Sequence, residues 1–237
     1  MRESVYKSYS MRGTELALLL ASKNKKSIHS FGFIDGTETK EDYVYAIDHM
    51  VKQGIAEVRD EKIIVKKPYD EMLDCMVNAK EVITIRSSND ELRDYCIYSE
   101  SDDSVLVLGF SSLKKNQVVL THLKSKEFME SFLSKEYFPS EVFDSVGEEP
   151  EVVSPDIFMN MVDMLRYKRD ITDVRFLLGI DIISKVRLER ESFIVAHMPT
   201  GIYTVRCRGN DFDVEMYNKE MFERKLFKIV KGDFDEI

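Results

Sequence analysis

The sequence has no tryptophan, and only five prolines, ten glycines, three cysteines and four histidines among its 237 residues. So few prolines and glycines exclude long linker-like or low-complexity tracts, whose composition cannot sustain a packed core. The cysteines, Cys75, Cys96 and Cys207, are odd in number and widely spaced, with no CxxC pair. That excludes a disulfide framework and predicts reduced thiols of a cytosolic protein. His29, His49, His122 and His197 form no HExxH or HxxxH pair, so the helical zinc signatures are missing. No GxSxG elbow, GxxxxGK[ST] loop or GxGxxG turn occurs, which leaves nucleophilic hydrolysis and phosphate cradling without support. Catalytic, cofactor and metal residues are therefore not assigned, and an enzyme is not expected. No apolar run approaches the roughly 20 residues that span a bilayer. The best, Leu16 to Ala21, is too short for the core of a signal peptide. A cytoplasmic protein without membrane association is expected.

What is present is ordinary for a globular chain: 43% hydrophobic and 32% charged residues, with 14 Phe, 11 Tyr and 12 Met supplying bulk. The net charge is −9, unevenly spread. Residues 1–67 hold 12 Lys/Arg and 10 Asp/Glu, about +2, leaving about −11 for the remainder. From Pro139 to Asp156 there are six acidic residues and no basic one. Phosphate neutralisation supplies most of the affinity of a nucleic-acid binder, so this balance points away from one.

Along the chain, Thr14 and the following Leu-rich run predict a buried helix. Thr39 caps a second helix, whose apolar Tyr43, Ala46, Ile47 and Met50 recur at spacings of three and four. Gly54 occupies the C′ position. Ile55–Val58 and Lys62–Lys66 form a small hairpin, and Pro68 opens a third helix through Met76. Strands follow at Glu81–Arg86, Tyr95–Tyr98, Ser104–Phe110 and Gln117–Leu123, then a helix from Lys126. Beyond the acidic stretch, Pro155 opens a helix with Ile157, Phe158, Met161, Met164 and Leu165 on one side. Strands at Lys185–Arg190, Ser192–Met198, Ile202–Arg208 and Asp211–Tyr217 and a helix from Lys219 complete the pattern.

The order helix, four strands, helix is thus written twice. Lys126-Glu127 precedes Lys219-Glu220 by 93 positions, and Val119, Thr121 and Leu123 fall opposite Phe212, Val214 and Met216. This predicts an α+β fold: an antiparallel sheet flanked by helices, in two repeats related by a pseudo-two-fold axis. The expected segments are 1–67, helical and winged-helix-like; 68–138, the first repeat; 139–154, an acidic connector; and 155–237, the second repeat. One compact domain is expected. A helix, a glycine and a hairpin over residues 39–67 follow the grammar of a winged helix, and Arg59, Lys62, Lys66 and Lys67 would suit its wing. The preceding helix carries Glu41, Asp42 and Asp48, the wrong sign for a major groove. Met-rich apolar faces repack around varied partners. Phe138 and Phe143 beside the acidic connector, with Phe158 and Met161 on the helix after it, are the expected partner contacts.

The pattern from Glu15-Leu-Ala-Leu-Leu-Leu, through Lys52-Gln-Gly-Ile55 and its hairpin, Tyr69 to Met76, Val82–Arg86 and the helices at Phe128 and Phe222, resembles the EspG family of type VII (ESX) secretion chaperones. The chain is Lys-, Met- and Ile-rich where mycobacterial members are Ala-, Arg- and Pro-rich, which suits a distant, Firmicute-like member. The resemblance implies a quasi-two-fold α+β domain that binds a small helical secreted protein and keeps it soluble, without cofactor or catalysis. The alternatives from the residues are a winged-helix-type DNA-binding regulator and a structural subunit of a larger cytosolic complex.

Overall fold

A computed structural model describes residues 7–23, 38–89, 92–101, 104–110, 117–132, 138–139, 174–186, 188–198, 201–208 and 211–231. The fold is α+β, built on one antiparallel sheet of nine strands. In chain order the described elements are β1 (Lys7–Arg12), α1 (Gly13–Ser22), α2 (Lys40–Lys52), β2 (Ala56–Arg59), β3 (Lys62–Val65), α3 (Tyr69–Asn78), β4 (Glu81–Ser87), β5 (Tyr95–Ser101), β6 (Ser104–Phe110), β7 (Gln117–Lys124), α4 (Ser125–Glu127), β8 (Arg175–Ser184), β9 (Glu189–Met198), β10 (Gly201–Arg208), β11 (Asp211–Met216) and α5 (Lys219–Lys231). A π-helical turn over Phe128–Phe132 continues α4. The helix expected from Pro155 and the acidic connector beyond Pro139 lie outside the described residues.

The sheet order is β1-β7-β6-β5-β4-β8-β9-β10-β11, with β2 and β3 forming a separate hairpin. Two four-stranded meanders start side by side at β4 and β8 and run outward in opposite directions. The seam between them is a seven-residue antiparallel pairing, from Glu81 opposite Ser184 to Ser87 opposite Leu178. β1 closes one edge by pairing with β7, Tyr9 facing Leu120 and Met11 facing Val118.

Alternation along each strand sorts side chains onto two faces. On the front, Val82, Cys96, Tyr98, Leu106, Leu108, Val118 and Leu120 pack with Leu16 and Leu19 of α1, Met50 of α2, and Met72, Leu73 and Met76 of α3. On the back, Ile83, Ile85, Ile97, Val107, Leu178, Ile180, Phe193 and Val195 pack with Phe128 and with Phe222, Leu226, Ile229 and Val230 of α5. Ser125 Oγ donates to the Val230 carbonyl at 3.4 Å, tying α4 to α5. A smaller cluster of Phe176, Ile194, Ala196, Val205 and Cys207 lies on the front of the second meander. No helix among the described residues is long and apolar enough to cross a membrane.

Two strands correct the sequence expectation. β1 was not anticipated: Lys-Ser-Tyr-Ser-Met-Arg presents only Tyr9 and Met11 inward, too few apolar residues to signal a strand. β8 was not anticipated either. Phe176-Leu-Leu-Gly-Ile-Asp-Ile-Ile is an interior strand paired on both edges, and a bulge between Phe176 and Leu178 interrupts its alternation. The strand expected at Lys185–Arg190 is largely the turn joining β8 to β9. Its alternating charges mimic a strand, but Ser184 already faces Glu189 across the hairpin.

Candidate protein-binding surface

The segment from residue 38 to residue 65 is held by local chemistry legible in its sequence. Thr39 is the N-cap of α2: its hydroxyl accepts from the Asp42 N–H at 3.3 Å, and its own N–H donates to the Asp42 carboxylate at 2.8 Å. The Thr39 N–H, and then the Thr39 hydroxyl, which also donates to that carboxylate at 2.8 Å, hold the Asp42 carboxyl below its ordinary value. At the other end Gly54 takes φ +70°. The Gly54 N–H reaches the Val51 carbonyl at 3.1 Å and the Ile55 N–H reaches Met50 at 2.9 Å, the paired bonds of a Schellman stop. The hairpin then turns through Asp60 and Glu61, both at positive φ, as a two-residue primed turn requires.

Anchorage to the body comes from beneath. Met50 and Ala46 are buried, as are Ile55 and Ala56 where β2 begins. A polar clamp joins α1 to α2. Glu15, fully buried, accepts the Arg12 N–H at 2.8 Å and a hydrogen bond from His49 Nδ1 at 2.6 Å. The Arg12 guanidinium stacks over the Tyr45 ring, 4.8 Å from its centroid.

Outward, the same segment leaves apolar side chains uncovered. Nine large hydrophobic residues are exposed in the described structure, and five of them are Val44, Tyr45, Val51, Val58 and Ile64. Val44 is 60% exposed, Tyr45 55% and Val51 43%. Scattered single exposures need no explanation; Val58, opposite Ile63, and Ile64, opposite Glu57, lie on different faces of the hairpin, whereas Val44 and Val51 share one side of α2. The charge there is acidic: seven Asp/Glu against four Lys/Arg between residues 38 and 64. The remaining four are Val186 and Leu188 on the β8–β9 turn, Met216 on β11 and Met221 on α5.

Of the partner contacts expected from sequence, one, Phe138, falls among the described residues. Phe138 is 7% exposed and packs edge-on against Phe222, with ring centroids 6.5 Å apart, in the back core. Phe143, Phe158 and Met161 lie outside the described residues. Tyr43, Ala46, Ile47 and Met50 already satisfy the helical period of α2 and mask its outer side in the sequence. Val44 and Val51, seven residues apart on another side, were the available signal.

Several other polar groups have structural partners. Asp181 on β8 accepts from Arg190 Nε and Nη2, each at 2.9 Å, and from Ser192 Oγ at 2.7 Å. That carboxylate raises the Arg190 pKa, against the lowering effect of burial. Glu191 pairs with Arg206, whose guanidinium also lies over Phe193. Cys96 and Cys207 are buried and Cys75 partly so, and burial pushes the Cys207 thiol up to about 11. Tyr98 is raised well above its ordinary value, first by burial and then by neighbouring Cys96. Among the described residues, no group of three or more His, Cys, Asp or Glu could hold a metal ion. In comparisons with protein-family models and with curated proteins, the chain matches none.

Proposed function

We propose that this chain is a non-catalytic, cytoplasmic binding protein that holds a helical protein client. In this it resembles the secretion chaperones of the EspG family. The observation that carries the reading is the pair of exposed valines, Val44 and Val51, on the outer side of α2 beside Glu41 and Asp48. Burying such a pair against a partner removes apolar area from water, worth about 25 cal/mol per Å². The meanders running outward from β4 and β8 support the duplicated, pseudo-two-fold architecture that the resemblance implies.

The DNA-binding alternative rests on the helix-and-hairpin order over residues 39–67 and on Arg59, Lys62, Lys66 and Lys67. The outer surface of α2 disfavours it, because Glu41, Asp42 and Asp48 would face phosphates. The deciding experiment is purification of the tagged full chain from its native cells, with mass spectrometry of whatever accompanies it. A small helical exported protein in stoichiometric amount is the expected result. A stable complex with cytosolic machinery instead would favour the structural-subunit reading. Absence of any polypeptide, together with a shift of operator DNA at physiological salt, would establish the regulator in its place.

A further inference from the structure

We infer that the outer side of α2 is the docking site for one amphipathic helix of the client, and that this helix flanks its apolar stripe with Lys or Arg. The inference rests on the protein-binding reading above and specifies its surface and its occupant.

Spacing comes first. Val44 and Val51 are seven residues apart, as are Glu41 and Asp48, and Tyr45 and Lys52. Seven residues are close to two helical turns, so each pair stacks along the axis, separated by about 10 Å. The outer side of α2 therefore presents three parallel lines: acidic, apolar, and a mixed line of Tyr45 and Lys52. A seven-residue apolar line is the seam that a second helix packs against at a shallow crossing angle, with side chains interdigitating. A strand or an extended peptide repeats every two residues and would not match it.

Charge sets the flanks. Glu41 and Asp48 border the valine line on one side, both exposed, and exposed Lys40, four residues before Val44, stands at its N-terminal end. Asp48 is already bridged to Lys52 at 2.6 Å, an i,i+4 pair more than half exposed on both sides. Such a surface pair contributes little and exchanges readily for an intermolecular one. Asp42 is held by the Thr39 cap, so Glu41 and Asp48 are the carboxylates along this line suited to an incoming cation. Flanking charges at a helix–helix seam choose the partner. Here they select basic flanks and repel acidic ones, which also disfavours antiparallel self-pairing through α2, where Asp48 would meet Asp48 of a second copy.

The surface is held ready before docking. The Thr39 cap, the Gly54 stop and the Glu15–His49 clamp fix α2 at both ends and from below. Little ordering is then left for binding to offset.

The test places a photo-crosslinking amino acid in the full chain at position 44, 51 or, as a control on another exposed surface, 188. Each form is expressed in native cells, irradiated and mapped by mass spectrometry. Adducts through 44 and 51, but not 188, on a helical segment bearing Lys or Arg beside an apolar stripe support the inference. In the same cells Val44→Glu should lower recovery of that partner about tenfold, the loss of one well-buried aliphatic contact. The Asp48→Lys variant should lower it as well, and Leu188→Glu should leave it unchanged. Because positions 44 and 188 are exposed, circular dichroism and melting of these variants should match the parent. An adduct on a second copy of the chain, on nucleic acid or on an acidic segment overturns the inference. So does an adduct through 188 in the absence of one through 44, while the protein-binding reading survives. Recovery of no partner with any of the three probes removes both.

Discussion

At the scale of single residues, backbone geometry makes the sharpest predictions. Leu188 sits at φ +56° and is 89% exposed, so it occupies a left-handed position with no packing to compensate. Glu61 sits at φ +61° in the second central position of the β2–β3 turn, where glycine is preferred. Leu188→Gly and Glu61→Gly should each stabilise the protein by up to about 1 kcal/mol, the steric relief being partly offset by the greater freedom of the unfolded chain. Gly54→Ala should do the reverse by about 1 kcal/mol. A Cβ there would meet nothing within 4 Å, so the cost is in the backbone alone. Urea midpoints for the three variants would check both signs. Gly54 was legible because a glycine after a periodic helix has one common meaning. Leu188 was not, because a leucine between charged residues reads as strand alternation until its dihedral is known.

At the scale of elements, α2 shows how much a helix boundary owes to two or three side chains. Asp42 and Thr39 exchange hydrogen bonds, and the Asp42 carboxyl is thereby lowered from its ordinary 3.8. A carboxyl with a depressed folded value contributes stability above its unfolded value and loses it as pH falls through the folded one. Asp42→Asn should therefore lower the melting temperature at pH 7, and the difference from the parent should shrink progressively below pH 3.8. A difference unchanged down to pH 2 would show that the capping charge contributes nothing. The same helix explains why the sequence revealed the element and missed its role. Periodicity reports the side that faces the core, here Ala46 and Met50. A second, weaker stripe such as Val44 and Val51 becomes visible only when the structure shows what leaves it uncovered. β8 teaches the complementary lesson. Strand signals read from alternation favour sheets with one wet face, and an interior strand interrupted by a bulge carries apolar residues on both sides.

For the molecule as a whole, the question is whether two meanders on one sheet behave as one body. A polar row crosses the front of the sheet at their seam: Cys96, Thr84, Asp181, Ser192 and Cys207 are successive cross-strand partners. Thr84 Oγ1 is buried without a hydrogen-bond partner, and Asp181 beside it gathers Arg190 and Ser192. A seam of this kind is costly when half satisfied and specific when complete, because a one-residue slip in register between β4 and β8 would move Asp181 onto the apolar back face. The cores on either side continue across it, Ile83 and Ile85 joining Leu178, Ile180 and Ile182 behind the sheet. Urea unfolding followed by far-ultraviolet circular dichroism and by tyrosine fluorescence should therefore give coincident single transitions. Asp181→Ala removes the acceptor of Ser192 and Arg190 and should shift that transition down by about 1–3 kcal/mol without splitting it. Two resolved transitions in the variant would mean that the meanders fold independently and that the seam is a docking contact between two units. A single shifted transition would place the cooperative core across β4 and β8, which is what the shared back-face cluster requires.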